Sequence, residues 1–187
     1  MTDVVYDACV LHAAPLRDLL LDIATEGLVR PYWSDEIHKE WIGSLLRRRP
    51  DLRRESLERT RHRMDARFKN SLTKGYEPLI PALELPDLKD RHVLAVAIHV
   101  KAKYIVTFNL DDFPQDVLQP YGIEALSPDE FVWQLAQTNP KRVLQAAKRH
   151  RLDLTRPPQM VDEYLATLEK QGLAKTVAFL REHKDEI

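Results

Sequence analysis

Cysteine is almost absent from this chain. The single residue, Cys9, rules out an intrachain disulfide framework and suits a reducing compartment. Long apolar runs are missing too, and none approaches the roughly 20 residues that a transmembrane helix needs. Thr2-Asp3 leads straight into Val4-Val5-Tyr6, with no basic n-region and no small-residue cleavage site of a secretory leader. These absences give the expectation of a cytoplasmic protein. Neither a P-loop nor a GxGxxG occurs, so glycine-cradled nucleotide chemistry has no support. No internal repeat or low-complexity segment is found.

What is present is ordinary in amount and uneven in placement. The 187 residues are 44% hydrophobic and 30% charged, which fits one soluble globular domain with a small appendage. A chain of this length buries roughly 70% of its unfolded surface and needs no covalent staples. Net charge is −1, but Arg47 to Lys74 holds eleven basic and four acidic residues, and Lys141 to Arg156 holds six and one. The remainder therefore carries −13. Such separation suits a polyanion placed beside an acidic, metal-filled site. A solvated helix face laced with ion pairs accounts for the charge alone equally well.

Strand and helix signals alternate. Val4-Val5-Tyr6 reads as a short strand, Leu16 to Ala24 as a helix stopped near Gly27, and Leu28 to Trp33 as a second strand. Ser34 is placed to cap a helix carrying Ile37, Trp41 and Leu45, which Pro50 interrupts. Arg53 to Leu72 has the spacing of a long helix with the stripe Leu57, Met64, Phe68 and Leu72. Pro78 and Pro81 mark a loop, Lys89 to Ala102 a buried helix, and Tyr104 to Phe108 a strand. Gly122 to Leu126 reads as a further strand. "SPDE", from Ser127, supplies an N-cap, a Pro at N1 and a Glu at N3 for a helix to about Gln137. Polar helices follow Asn139-Pro140, with breaks at Arg156-Pro157-Pro158 and Gly172. This order predicts an α/β fold with a mostly parallel sheet, whose ligands sit outside the C-terminal strand ends.

Acidic residues fall at those ends. Asp7 follows the first strand, and Asp111 and Asp112 follow the strand at Tyr104. Asp90 opens the buried helix, and Glu40 lies on a helix that follows a strand. Four acidic positions thereby converge on one sheet edge. Converging carboxylates repel one another and resist burial, and a hard divalent cation relieves both effects. Each acid also has a plain structural reading. Asp87 and Asp90 suit a cap and a dipole partner, worth roughly 1 kcal/mol or less each. Asp111 and Asp112 suit a loop, and Glu40 an exposed helix face. Trp33, Trp41 and Trp133 read as core or interface, Cys9 as a small buried filler, and His92 and His99 as sharing one helix face. His12, near Asp7, is a candidate phosphate contact.

Four segments carry a family resemblance. "VVYDACVL", "SDEIHKEW", "DLKDRHVLAVAI" and "IVTFNLDDF" occur in an order that resembles the PIN-domain ribonucleases, of the branch that includes VapC-like toxins. They span Val4 to Phe113. The resemblance implies a PIN-like, Rossmann-type three-layer sandwich with a mostly parallel central sheet over residues 1–137. A helical C-terminal extension would occupy 138–187. It implies catalytic acids at Asp7, Glu40, Asp90 and Asp112, with Asp7 and Asp90 as direct ligands of one or two Mg²⁺ or Mn²⁺ ions. Glu40 and Asp112 would complete the metal cluster. Glu36, Asp87 and Asp111 remain the competing neighbours, and Asp112 is preferred for its Asp-Phe pair with Phe113. Thr107 and Asn109 take supporting hydrogen-bonding roles. Cys9 stands where many relatives carry Ser or Asn, which weakens the hydrogen bonding near Asp7.

The resemblance further implies metal-dependent hydrolysis of RNA by a toxin that a cognate antitoxin protein blocks, with a homodimer as a common assembly. Arg47, Arg48, Arg49, Arg53 and Arg54 are then the expected RNA-binding residues, because the guanidinium fork donates to phosphate in pairs. The alternatives are a PIN-type nuclease of RNA maturation or flap DNA, and a catalytically silent binding module. Haloacid-dehalogenase chemistry wants a second Asp two residues beyond Asp7, where this chain has Cys9.

Overall fold

The computed structural model describes residues 1–155 and 157–187; Arg156, part of the expected break at Arg156-Pro157-Pro158, lies outside the described residues. In chain order the strands are β1 (Thr2–Tyr6), β2 (Val29–Ser34), β3 (Leu72–Thr73), β4 (Tyr104–Val106) and β5 (Glu124–Leu126). The helices are α1 (Ala8–Leu11), α2 (Ala14–Thr25), α3 (Asp35–Arg48), α4 (Arg54–Arg67), α5 (Arg91–His99) and α6 (Gln115–Leu118), then α7 (Pro128–Thr138), α8 (Pro140–Asp153), α9 (Val161–Glu169) and α10 (Ala174–Glu182). No helix among the described residues is long and apolar enough to cross a membrane.

The chain divides into two compact units. A sheet unit comprises Thr2–His12 and Arg30–Leu126, and a helical unit comprises Met1, Ala13–Val29 and Ser127–Ile187. These units differ from the expected division at residues 137 and 138, because α2 and α7 group with the C-terminal helices.

The five strands form one sheet in the order β3-β2-β1-β4-β5. The pairs β1–β4, β2–β3 and β4–β5 are parallel. Val4, Val5, Tyr6, Ile105 and Val106 are fully buried, as apolar runs in a parallel sheet covered on both faces should be. The chain builds outward from β1 in one direction through β2 and β3, and in the other through β4 and β5. The switch point therefore lies between β1 and β4, where the register sets Tyr6 against Val106. Asp7 and Thr107 are the next residues on each strand. The helix α5, with Val93 to Ala97 all fully buried, packs on β1 and β4.

Two sequence expectations change here. The helix expected over Arg53 to Leu72 ends at Arg67, and Leu72–Thr73 is instead the edge strand β3. Helical spacing favoured Phe68 and Leu72 on one stripe, but the edge of β2 offers backbone partners, and Trp33 N–H donates to Ser71 C=O at 3.0 Å. Phe68 then packs edge-on against Trp33, ring centroids 6.0 Å apart. The strand expected to run through Phe108 stops at Val106, for a reason that belongs to the site.

In the helical unit, α2 packs on α8 and α9, and α7 on α8 and α10. Leu16, Leu19, Leu20 and Ile23 of α2 are buried, as are Phe131 and Val132 of α7 and Tyr164, Leu165 and Leu168 of α9. The expected start of α7 is observed: Ser127 Oγ accepts from Glu130 N–H at 3.2 Å, with Pro128 at the first position. Asp129 then caps another helix, accepting from Lys175 and Thr176 N–H at 2.9 Å each.

Candidate active site

The end of β1 delivers Asp7 as the N-cap of α1, with Ala8 N–H donating to Oδ1 at 2.6 Å. Asp7 is 4% exposed, so its remaining contacts decide how it is held. The fully buried Thr107 hydroxyl donates to Oδ2 at 2.7 Å, and the Cys9 thiol donates to the same oxygen at 3.0 Å. The backbone beyond β4 is then tied to these side chains. Phe108 N–H donates to Cys9 Sγ at 3.2 Å and Asn109 N–H to Thr107 Oγ1 at 3.0 Å. That is why β4 gives out here: Thr107 N–H still donates to Leu126 C=O at 3.0 Å, but the two amides after it leave the sheet to bond side chains. Cys9 is thus more than a filler, and it occupies a hydrogen-bonding position rather than weakening one. Burial, with the charge of Asp7 beside it, pushes its thiol up to about 12, so it stays protonated and donates.

Asp90 reaches the same place from the turn before α5. It caps nothing with its side chain, whereas Asp87 caps the short turn Leu88–Asp90 by accepting from Lys89 N–H at 2.9 Å. Burial pushes the Asp90 carboxyl up to about 6, reinforced by the charges of Asp7, Asp112, Asp87 and Glu40. Glu40 comes from the middle of α3, and its Oε1 lies 3.0 Å from His92 Nε2. Burial lowers the His92 pKa, but the hydrogen bond and charge of Glu40 outweigh it and the net shift is upward.

Asp7, Glu40 and Asp90 line one cleft of about 430 Å³, together with Glu36, Asp87 and Asn109. Cys9, His12, Lys39, Ser44, Arg47 and Lys89 complete most of its wall. Asp112 is not part of that wall; it lies half-buried in the turn Leu110–Asp112, and its charge reaches Asp90. Asp111 is exposed, and Glu36 is exposed with a 3.1 Å ion pair to Lys39. Among the five arginines, Arg47 is brought to the cleft. The charge of Arg48 reaches His12, whose pKa burial lowers first and the arginines lower further. Arg49 is tied to Asp51 at 2.6 Å, Arg54 stands 3.8 Å from Glu58, and Arg53 is exposed at the head of α4.

His92, Lys39 and Lys89 join the site without having been expected from the sequence. The spacing of His92 and His99 suggested a shared face, yet His92 is buried and His99 exposed. A signal was available: His92 lies two residues beyond Asp90 on the same helix start, within reach of the site that Asp90 marks.

Among the described residues, no three His, Cys, Asp or Glu side chains stand close enough to enclose one ion. The donor set nevertheless suits a hard divalent cation. It is all oxygen, its charges repel, and Asp90 is left with a raised pKa that a cation would reverse. Magnesium keeps several waters and takes only one or two carboxylates directly, so an open cleft is a compatible site.

A family described as PIN domain matches residues 2–111, and one described as VapC50 C-terminal domain matches residues 128–182. Among curated proteins, one named "Putative ribonuclease VapC50" from Mycobacterium tuberculosis (strain ATCC 25618 / H37Rv) is 53% identical over 58 residues. That alignment covers 31% of this chain and 34% of the relative, so the match spans about a third of either protein. No solved structure matches the chain. With the PIN match covering more than half of its residues, over the unit that holds the cleft, the chain belongs to the PIN-domain family.

Proposed function

We propose that this chain is a metal-dependent endoribonuclease of the VapC type, and the toxin of a toxin–antitoxin pair. The observation that carries the reading is Asp90, a carboxyl pushed up to about 6 by burial and by four neighbouring acids, in a cleft walled by Lys39, Arg47 and Lys89. Such an arrangement is costly for an unliganded protein and useful for one that binds a divalent cation and a phosphodiester. Asp7 and Asp90 serve as direct oxygen ligands of Mg²⁺ or Mn²⁺, and Glu40 and Asp112 complete the acidic set. When bound, the cation supplies water activation and neutralises charge at the phosphate.

The chain's own residues do the positioning. Thr107 and Cys9 hold Oδ2 of Asp7 and Ala8 N–H holds Oδ1, which keeps a further lone pair for a ligand. His92 holds Glu40 Oε1 in one orientation. Asn109 lines the cleft as a hydrogen-bonding group for water or phosphate. Arg47 meets the RNA backbone at the cleft, and Arg48, Arg49, Arg53 and Arg54 extend the basic surface along the end of α3 and the start of α4. An acidic antitoxin segment is the natural partner for that surface, and self-association into a homodimer is part of the same proposal.

The test is cleavage of a mixed cellular RNA pool by purified protein with Mg²⁺, with Mn²⁺ and with EDTA, beside Asp90→Asn. Cutting that needs metal and disappears in the variant supports the reading. Unimpaired cutting by Asp90→Asn sinks the site assignment. A folded protein that binds metal and cuts nothing points instead to a silent RNA-binding module.

A further inference from the structure

Large apolar side chains are exposed at seven described positions, and three of them adjoin residues that line the acidic cleft. Leu88 is 59% exposed between Asp87 and Lys89, which both line the acidic cleft. Phe108 and Leu110 are 46% and 43% exposed on either side of Asn109, which also lines it. Isolated exposed apolar residues need no explanation, but three beside one charged cleft do.

The backbone under Phe108 is fixed. Its own N–H donates to Cys9 Sγ at 3.2 Å, and the next N–H donates to Thr107 Oγ1 at 3.0 Å. Cys9 and Thr107 both bond Asp7, so the ring is carried by the same network that holds the acid. Leu88 sits in a turn pinned by Asp87. The apolar groups alternate with Asp87, Lys89, Asn109 and Asp111 instead of forming a continuous face. A protein interface depletes charge at its core, whereas single-stranded nucleic acid wants aromatic faces spaced among charges, one for bases and one for phosphates.

We infer that Phe108 is a base-stacking platform for an unpaired nucleotide of the RNA beside the cleft, where Leu88 and Leu110 also stand exposed next to cleft-lining residues. Duplexed bases are stacked on each other and cannot use such a ring, so Phe108 selects single-stranded or looped segments. The role rests on the ribonuclease reading, and it adds a residue that recognises the base where the acids and arginines meet only the backbone.

The experiment measures binding of three labelled oligoribonucleotides of equal length, in EDTA so that none is cut. One is oligoadenosine, one oligouridine, and one has abasic ribose at every internal position. Wild type is compared with Phe108→Ala and Phe108→Tyr. Stacking lost on alanine substitution should weaken oligoadenosine binding about tenfold, with a smaller loss for oligouridine. The abasic oligomer and the salt dependence should be unchanged, and Phe108→Tyr should bind within about threefold of wild type. An equal loss on the abasic oligomer, or no loss on any, overturns the platform. So does disruption of self-association or of a co-purifying protein by Phe108→Ala while RNA binding persists, which would mark a protein interface. Base-dependent binding by a protein that cuts no RNA would sink the nuclease reading and leave the platform standing. Cutting that ignores Phe108→Ala would do the reverse.

Discussion

His92 and His150 are both buried histidines, one in each unit, and their environments move them in opposite directions. In the helical unit, His150 Nδ1 lies 3.0 Å from the hydroxyl of the buried Tyr164, and burial lowers its pKa. In the sheet unit, burial also opposes charge on His92, but Glu40 at 3.0 Å overrides it. The acids repeat the contrast. Asp129 spends its carboxylate on two N–H groups at the start of α10. Asp90 caps nothing and faces other carboxylates. In the helical unit Asp129 is matched to backbone N–H groups and His150 Nδ1 to a neutral hydroxyl, pairings that stabilise structure. The other leaves like charges facing a cleft, which costs stability and is the arrangement that the proposed cation would relieve.

The largest effect that would sharpen this comparison is at His92. His92→Ala releases Glu40 without removing any proposed metal ligand, and RNA cleavage should fall about 10- to 100-fold. A double-mutant cycle with Glu40→Gln checks the route. The two losses should fail to add, because the histidine acts through that carboxylate. Additive losses would give His92 some other role and weaken the contrast with His150.

On the helical side the expected effect is smaller and falls on stability. Asp129→Ala leaves Lys175 N–H and the N–H of the fully buried Thr176 without their acceptor. The loss should be about 2 kcal/mol, or a Tm lower by about 4–8 °C for a chain of this size. Asp129→Asn keeps a carbonyl acceptor and should lose less. If both variants melt with wild type, the caps are not what Asp129 provides.

Much of the sheet unit was legible because local and global signals agree there. Val4-Val5-Tyr6 is an apolar run that a buried parallel strand requires, and Ser34 starts α3 where capping chemistry puts it, as Ser127 does for α7 in the helical unit. Asp7 stands out because a charge directly after a buried strand needs a partner, whereas Asp90 alone reads as a cap and is singled out by the family resemblance; both line the cleft. Leu72–Thr73 was not legible, since its spacing suits α4 and only the edge of β2 converts it to a strand. His92 and Phe108 were hidden for a related reason. Nothing in the sequence says that His92 lies across from Glu40, 52 positions away, or that the backbone at Phe108 bonds to Cys9. The arginines also separate in space more than their sequence suggests: charge counting treats Arg47 and Arg54 alike, but Arg47 lines the cleft while Arg54 stands at the head of the next helix.

The smallest predicted effect isolates the acidic cleft itself. The Asp90 carboxyl, at about 6 in the folded chain, lies above the value of about 3.9 for an unfolded aspartate. The folded protein therefore holds this proton more tightly than the unfolded chain does. Stability is lost as pH rises from about 4 to about 6, and the loss is complete above that. Each tenfold tightening of the proton corresponds to about 1.36 kcal/mol, but Asp90 stands partly in solvent, and screening reduces the net cost to about 1 kcal/mol. Metal-free Asp90→Asn should then melt about 2–4 °C above metal-free wild type at pH 8 and together with it at pH 4. Added Mg²⁺ should raise the wild-type Tm and close the gap, because binding to the folded state alone stabilises it. Coincident melting curves from pH 4 to 8 would mean that Asp90 is as well satisfied as Asp129. The difference between the two units would then have to rest on His92 and Glu40 alone.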